Sequence, residues 1–386
     1  MDKRVSIRIF DKDINFIGEV DAYTSLFYIR KWNTYNECEF HVTNYNKELF
    51  KKNNIIMLNN DTTKVAVIKH IEVDNSDTKD ILVKAYGLTR WFLDRVTYPP
   101  AGKSYDYYNT NIESIMIGLV NANAINPADK NRKIPYLIAD TNQNRGAKTV
   151  YQTRYDNLLD ELTKLSELSE LGFRTDLDYR NKRFIFKVVN GLDRSTEQNI
   201  NSYALFARKF DNILSEKYTD SDIDYKNMAV IGGQGEGIDR KIEYINNELA
   251  GIDRKEMFID ARDLENEDES TNLTDRAKEK LAEHQEVTSH ECSVNTKDYK
   301  KVWDLGDYVT IRNDEVGVTQ KTQITEAKEI YEDGFKVEVT FGNTITEFSK
   351  KLKQITNKNF ENREISIGAN TPTDSYKGKV WIKTIE

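Results

Sequence analysis

The chain is short of the residues on which compact catalytic and metal-bound proteins depend. It has two cysteines in 386 residues, Cys38 and Cys292, far apart in sequence. That excludes a disulfide framework, and two buried free thiols are the expected state. Only four histidines occur, and His284, His290, Glu291 and Cys292 are the one place where zinc ligands gather. Their spacing matches neither H-x3-H nor C-x2-C, and no second thiol pair completes a tetrahedral shell. Strand alternation instead puts His290 and Cys292 on one face as packed residues. Prolines number five, two of them adjacent at Pro99 and Pro100. No run approaches the ~20 apolar residues of a membrane helix. Met1-Asp-Lys-Arg leads into an alternating pattern and not into an apolar segment, so a soluble chain without a standard export signal is expected.

Catalytic patterns are missing as well. There is no G-x-S-x-G elbow and no papain-like surrounding for either cysteine. With 64 acidic residues, carboxylate pairs arise by coincidence, so none of them marks acid–base chemistry. The net charge of −8 opposes general nucleic-acid binding, which needs clustered Lys and Arg to displace counterions.

What the chain does have is strand-forming material. Hydrophobic residues make up 38%, with 21 Tyr and 16 Phe, and broad or β-branched side chains fit a pleated, half-buried surface. Alternation predicts strands at Val5–Phe10, Phe16–Val20, Ser25–Trp32, Glu37–Thr43, Ile55–Leu58, Lys64–Asp74 and Asp80–Gly87, the short spacing of a sandwich or barrel. Leu88–Leu93 reads as a helical turn that Pro99-Pro100 follows. The period then changes: Asn111–Ala122 and Asp156–Leu171 carry apolar residues on one helical face, the second with Asp156 as cap and Gly172 as stop. The leucine stripe Leu158, Leu162, Leu165 and Leu168 is too short for a coiled coil. It is expected to pack on a hairpin of Phe173–Asp178 and Arg183–Val189. Further strands are predicted at Asn212–Tyr218, Met228–Ile231, Ile238–Ile245 and Lys255–Asp260. They continue at Val287–Val294, Asp307–Arg312, Lys321–Tyr331 and Phe335–Phe341, with one helix at Leu273–Ala282 and a tight turn at Asp333-Gly334. A charged amphipathic segment, Ile345–Ile355, with the lysines of Ser349–Lys353, leads to a polar tail ending in Val380–Lys383. The fold class is mainly β with an α/β insertion (α+β): two β units, a small inserted domain and a short tail.

Two motifs imitate ligand loops. Gly232-Gly-Gln-Gly-Glu-Gly237 lacks the Lys-Ser/Thr of a phosphate loop, has G-x-G-x-G spacing where a dinucleotide fold needs G-x-G-x-x-G, and carries Glu236, which repels phosphate. A flexible hairpin loop is the better reading. Asp220, Asp222 and Asp224 open like a calcium loop, but Tyr225 and Ile231 stand where glycine and glutamate are required. No cofactor, metal or catalytic residue is therefore assigned.

Several ordered segments together resemble a known family. They are SLFYIRKW with ECEFHV, YGLTRWFLDRVTYPP, LGFRTDLDYRNKRFIFKVVNGLDRS, FDNILSEKYTDSDIDYKNMAVIGGQGEGIDR, GIDRKEMFIDARDL, and WDLGDYVTI with FKVEVTFG. Over residues 5–345 the chain resembles the siphophage and prophage tail-hub (tail-associated, baseplate hub) proteins, similar in fold to the contractile-phage baseplate hub. The resemblance implies two β-barrel-like tube domains, one at residues 1–100 completed by part of 200–235, the other at 201–345 with one inserted helix. An α/β insertion would occupy 101–200, and a charged helix, linker and tail 346–386. It also implies a homotrimeric ring in the virion tail, made in the bacterial host cytoplasm, whose lumen passes DNA without sequence-specific binding. The implied partners are distal tail and tail-tube proteins, the tape measure protein, and tip fibre or receptor-binding proteins, with no membrane. Gly232, Gly233, Gly235 and Gly237 are then a candidate inter-subunit loop. Many relatives continue into a lytic domain or fibre; here Thr371–Gly378 reads as a linker, and any lytic role is expected of another protein. The alternatives are a tail-associated peptidoglycan or glycan hydrolase and a host-surface carbohydrate-binding module with tyrosines as stacking platforms.

Overall fold

The computed structural model describes residues 4–74, 80–262, 269–332, 334–342, 365–368 and 380–383. The Ile345–Ile355 segment with its lysines, the Thr371–Gly378 linker and Asp333 of the tight turn lie outside the described residues.

Seven strands open the chain: β1 (Ile7–Phe10), β2 (Phe16–Val20), β3 (Ser25–Lys31), β4 (Glu37–Val42), β5 (Ile55–Leu58), β6 (Val65–Asp74) and β7 (Asp80–Gly87). Their inward residues alternate as a pleated strand requires: Cys38, Phe40 and Val42 on β4, and Ile81, Val83 and Ala85 on β7. With Leu26, Tyr28, Ile56 and Ala66 they make one core. Strand β5, Ile-Ile-Met-Leu, is buried on both faces. Ile56 and Leu58 face that core, while Ile55 and Met57 face a second one.

The second core lies between the first unit, through Phe10, Ile14, Val65, Leu88 and Phe92, and the segment that follows it. That inserted segment comprises β8 (Asp106–Asn111), α1 (Ile112–Val120), β9 (Leu137–Ala139), β10 (Lys148–Thr153), α2 (Leu158–Ser169), β11 (Gly172–Asp178) and β12 (Arg183–Val189). Leu158, Leu162 and Leu165 pack there with Phe173 and Phe186 of the β11–β12 hairpin, as the leucine stripe predicts. Helix α2 is capped by Asn157, whose side chain accepts from the amides of Leu159 (3.0 Å) and Asp160 (3.3 Å). This corrects the sequence reading of Asp156 as cap, since the two neighbours offer the same acceptor chemistry. The helix stops at Glu170 in left-handed conformation (φ 61°), leaving Gly172 to open β11.

The remainder has two parts. One holds β13 (Leu205–Phe206), β14 (Ile213–Ser221), β18 (Val287–Val294), β19 (Tyr308–Asn313), β20 (Val318–Ile330) and β21 (Lys336–Gly342), around Phe206, Trp303, Val309, Ile324 and Phe341. The other lies between β14 and β18 in sequence: a three-stranded sheet of β15 (Met228–Gly232), β16 (Ile242–Ile245) and β17 (Glu256–Asp260), covered by α3 (Glu269–Ala282). Two short segments, β22 (Ile365–Gly368) and β23 (Val380–Lys383), pair in parallel.

One sheet joins the first unit to the last. Its order is β14-β18-β21-β20-β3-β4-β7-β6-β5-β1-β2, with β19 and β13 branching from β20. Strand β20 bonds to β19 through Val318–Gln323. Past a bulge it bonds to β3 and β21 through its other end. The expected pair of barrel-like units is thus seen as two halves of one open sheet, and no sheet among the described residues closes into a barrel. No strand of 200–235 pairs with β1–β7; β20 makes that junction, because its length lets one strand serve both halves.

Candidate functional site

Trp32, at the end of β3, is where the first unit, the insertion and the last unit meet. Its side chain is buried. Its amide donates to Thr325 O on β20 (3.0 Å), and its carbonyl accepts from the amide of Phe173 on β11 (3.2 Å). Its indole Nε1 donates to Glu170 O (3.0 Å). Two glycines press on the ring: a Cβ on Gly172 would stand 2.5 Å from the indole, and one on Gly306 only 2.1 Å. Gly306 also has φ +91°, a conformation that L side chains resist. Gly191 completes the contact, since a Cβ there would meet Gly306 O at 1.8 Å.

Beside the indole lies a buried charge network that ties β20 to the first unit. Glu329, 0% exposed, accepts from Lys64 Nζ, from Tyr331 OH and from Tyr299 OH (2.6 Å). Arg30 on β3 donates to Tyr299 OH (2.8 Å) and pairs with Asp304. Lys300 stands 3.4 Å from Asp61 and 3.8 Å from Glu329. Burial alone would push the Glu329 carboxyl up, but Lys64, Lys300 and Arg30 outweigh it and hold it below the usual range. Burial pulls the Lys64 ammonium down against the opposing attraction of Glu329. Burial also raises the Tyr299 and Tyr331 hydroxyls, keeping both as donors. Every charge in the cluster has a partner, without which its desolvation would be unopposed.

The sequence-selected residues lie elsewhere. Gly232–Gly237 forms the β15–β16 hairpin connection, closed by Gly233 N to Lys241 O (2.8 Å) and Lys241 N to Gln234 O (3.0 Å). Arg240 folds back to donate to Gly232 O (2.8 Å) and Gly233 O (3.1 Å). Gly235 and Gly237 have positive φ, and Ile238 is 100% exposed. The strand predicted from Ile238 begins at Ile242, because Gly237–Asp239 takes one 3-10 turn. Asp220, Asp222 and Asp224 turn to separate partners: Thr288 Oγ1 (3.5 Å), Lys255 Nζ, and, through its carbonyl, His284 Nδ1 (3.3 Å). His290 and Cys292 do share a buried face; His290 Nδ1 is hydrogen-bonded to Glu216 Oε1 (2.6 Å), while Glu291 pairs outside with Lys217. Cys38 and Cys292 are free and buried. Among the described residues no His, Cys, Asp and Glu group stands together as a metal site, and no helix is long and apolar enough to cross a membrane.

The joint was not singled out from sequence. One signal was available: in the alternating QITEAKEI of β20, Ile324 and Ala327 face inward, and so does the charged Glu329. A carboxylate at a core position needs a buried cation, and Lys64 supplies it.

Comparison with known proteins agrees with this architecture. A family model described as Siphovirus ReqiPepy6 Gp37-like protein matches residues 6–343. The prophage MuSo2 43 kDa tail protein of Shewanella oneidensis superposes with a TM-score of 0.57 at 10% identity, covering 88% of this chain and 98% of that one. The prophage tail protein gp18 of Listeria monocytogenes gives 0.54 at 14% identity, covering 92% and 99%. A tail protein of Neisseria meningitidis gives 0.57 at 10% identity, covering 88% and 97%. At such identities the likeness is one of fold. No curated protein matches the sequence. The family match over most of the chain and the shared architecture lead to one conclusion: the chain belongs to the Siphovirus ReqiPepy6 Gp37-like family and has the fold of prophage tail proteins.

Proposed function

We propose that the protein is a baseplate hub of a phage or prophage tail, without catalysis of its own. Three copies form a ring in which the two sheet halves of each copy act as two tube domains, six in all, joining a sixfold tail tube to threefold tip structures and letting DNA pass. The observation that carries this reading is the joint: two β units with separate cores share strand β20 and a buried charge network, which fixes their relative orientation. A ring whose symmetry exceeds its copy number needs such a fixed pair. Closed symmetry would also cover the end strands of the sheet among the described residues, β14, β2 and β13. The partners under this reading are the distal tail, tail-tube, tape measure and tip fibre or receptor-binding proteins. The hairpin of Gly232, Gly233, Gly235 and Gly237 is the proposed contact with a neighbouring copy.

The test is light scattering with negative-stain imaging across a concentration series, alone and with the tail proteins encoded beside it. Rings of three times 44.9 kDa are expected, and purified tails should carry three copies at the tip. A monomer that is absent from the tail tip and degrades peptidoglycan would overturn the proposal and favour the hydrolase alternative.

A further inference from the structure

A cleft of about 410 Å³ opens where the three units meet, next to Trp32 and the Glu329 network. Its wall is unusual for a chain of net charge −8: seven Lys and Arg side chains line it against two carboxylates, Asp304 and Asp307. Both carboxylates are already engaged. Asp304 pairs with Arg30, and Asp307 accepts from Arg194 Nε (2.9 Å) and from the amides of Leu192 (2.8 Å) and Asp304 (3.0 Å). The other carboxylates that pair with wall cations do not line the cleft: Glu37 and Glu326 with Lys31, Glu113 with Arg145, Asp176 with Arg174, and Asp61 and Glu329 with Lys300. The lining therefore carries an excess of five cations, most of whose counter-charges lie outside it.

Donors remain for a ligand. Arg174 and Arg194 each use Nε for their carboxylate (2.8 and 2.9 Å), and the Nη groups of both make no hydrogen bond among the described residues. Lys301 is exposed and has no ion-pair partner among them. A guanidinium carries five donors in a fixed fork that fits an oxyanion. The aromatic wall argues against a stacked ligand. Trp32, Trp303 and Phe173 are 6%, 4% and 1% exposed, so no ring face is open to stack on a base or a sugar. What the cleft offers is charge and hydrogen bonds in a compact space.

We infer that this cleft binds an oxyanion, carboxylate or phosphate, supplied either by an acidic loop of a neighbouring protein or by a free phosphate. Its occupant bridges Arg174 of β11, Arg194 of the segment after β12, and Lys301 of the last unit, and so ties the insertion to the last unit. The inference stands apart from the hub reading, since it concerns an isolated chain.

Isothermal titration of the full chain with pyrophosphate and with a tri-glutamate peptide, at fixed ionic strength, tests it. Saturable binding is expected, weakened by about tenfold or more in R174Q/K301Q. That variant should keep its fold, because Asp176 retains Lys187 at 3.3 Å. Should it unfold, K301Q alone serves, with a smaller loss of the same sign. Tighter binding of the peptide identifies an acidic loop as the source, and tighter binding of pyrophosphate a free phosphate. No saturable binding of either probe, or binding unchanged in the variants, overturns the inference.

Discussion

The joint around Trp32 and Glu329 and the hairpin around Gly232–Gly237 both use glycine, for opposite ends. At the joint, Gly172 and Gly306 let backbone lie against an indole where a Cβ would collide. In the hairpin, Gly237 has open space around it and Ile238 projects fully into solvent. One region is determined by what surrounds it; the tip of the other, at Gly237 and Ile238, meets only solvent. Substitution should therefore separate internal architecture from contact with other molecules.

The largest effect is expected at Glu329. Glu329→Ala leaves the Lys64 ammonium buried without its carboxylate, which costs about 3–5 kcal/mol. Urea denaturation measures this, and Lys64→Met combined with Glu329→Leu should recover a large share, because apolar pairs of similar volume replace buried ion pairs well. A loss under about 1 kcal/mol for the single variant would show that the network does not hold the joint.

Gly306→Ala comes next. The methyl must displace the Trp32 ring at a backbone φ of +91°, an overpacking and conformational penalty of about 1–3 kcal/mol. If its denaturation midpoint matches that of the parent, the close approach is not needed.

The pH dependence is smaller and has a definite sign. Glu329 has a carboxyl pKa lowered on folding, so its contribution is present above the unfolded value near 4.5 and is lost as pH falls through the folded value. Stability should decline on acidification below about pH 4.5, and less steeply in Glu329→Gln. Equal acid slopes in the two proteins would assign the decline to other carboxylates.

Ile238→Ser should have the least effect on folding, within about 0.5 kcal/mol, because the side chain is wholly exposed. Under the hub proposal the same change weakens association between copies, seen as a shift of mass toward monomer. An unchanged mass distribution would remove the hairpin from the proposed interface.

Much of the fold was legible because alternation is a local property. Phe16–Val20, Ile55–Leu58, Asp80–Gly87 and Val287–Val294 have the bounds that their apolar pattern predicts. The segments not foreseen are polar or very short: β8 (DYYNTN) and β10 (KTVYQT) pair with each other as a ribbon, and β13 spans two residues. Such strands exist through their partners and carry little pattern of their own. The joint was illegible for a related reason. Trp32, Lys64, Gly172, Gly306 and Glu329 come from five distant places, and apart from the inward carboxylate of Glu329 each is ordinary in its own segment. The pairing of β20 with β3 and the bonds of Trp32 to Glu170 and Phe173 bring them together.

That pairing has a mechanical consequence. β20 lies antiparallel to β3 from Glu326 opposite Lys31 to Ile330 opposite Phe27. A pull along the strand axis loads these hydrogen bonds side by side, whereas a pull across it would open them one after another. Tension transmitted lengthwise through the molecule would thus load the seam between the two halves in shear, its hydrogen bonds yielding together.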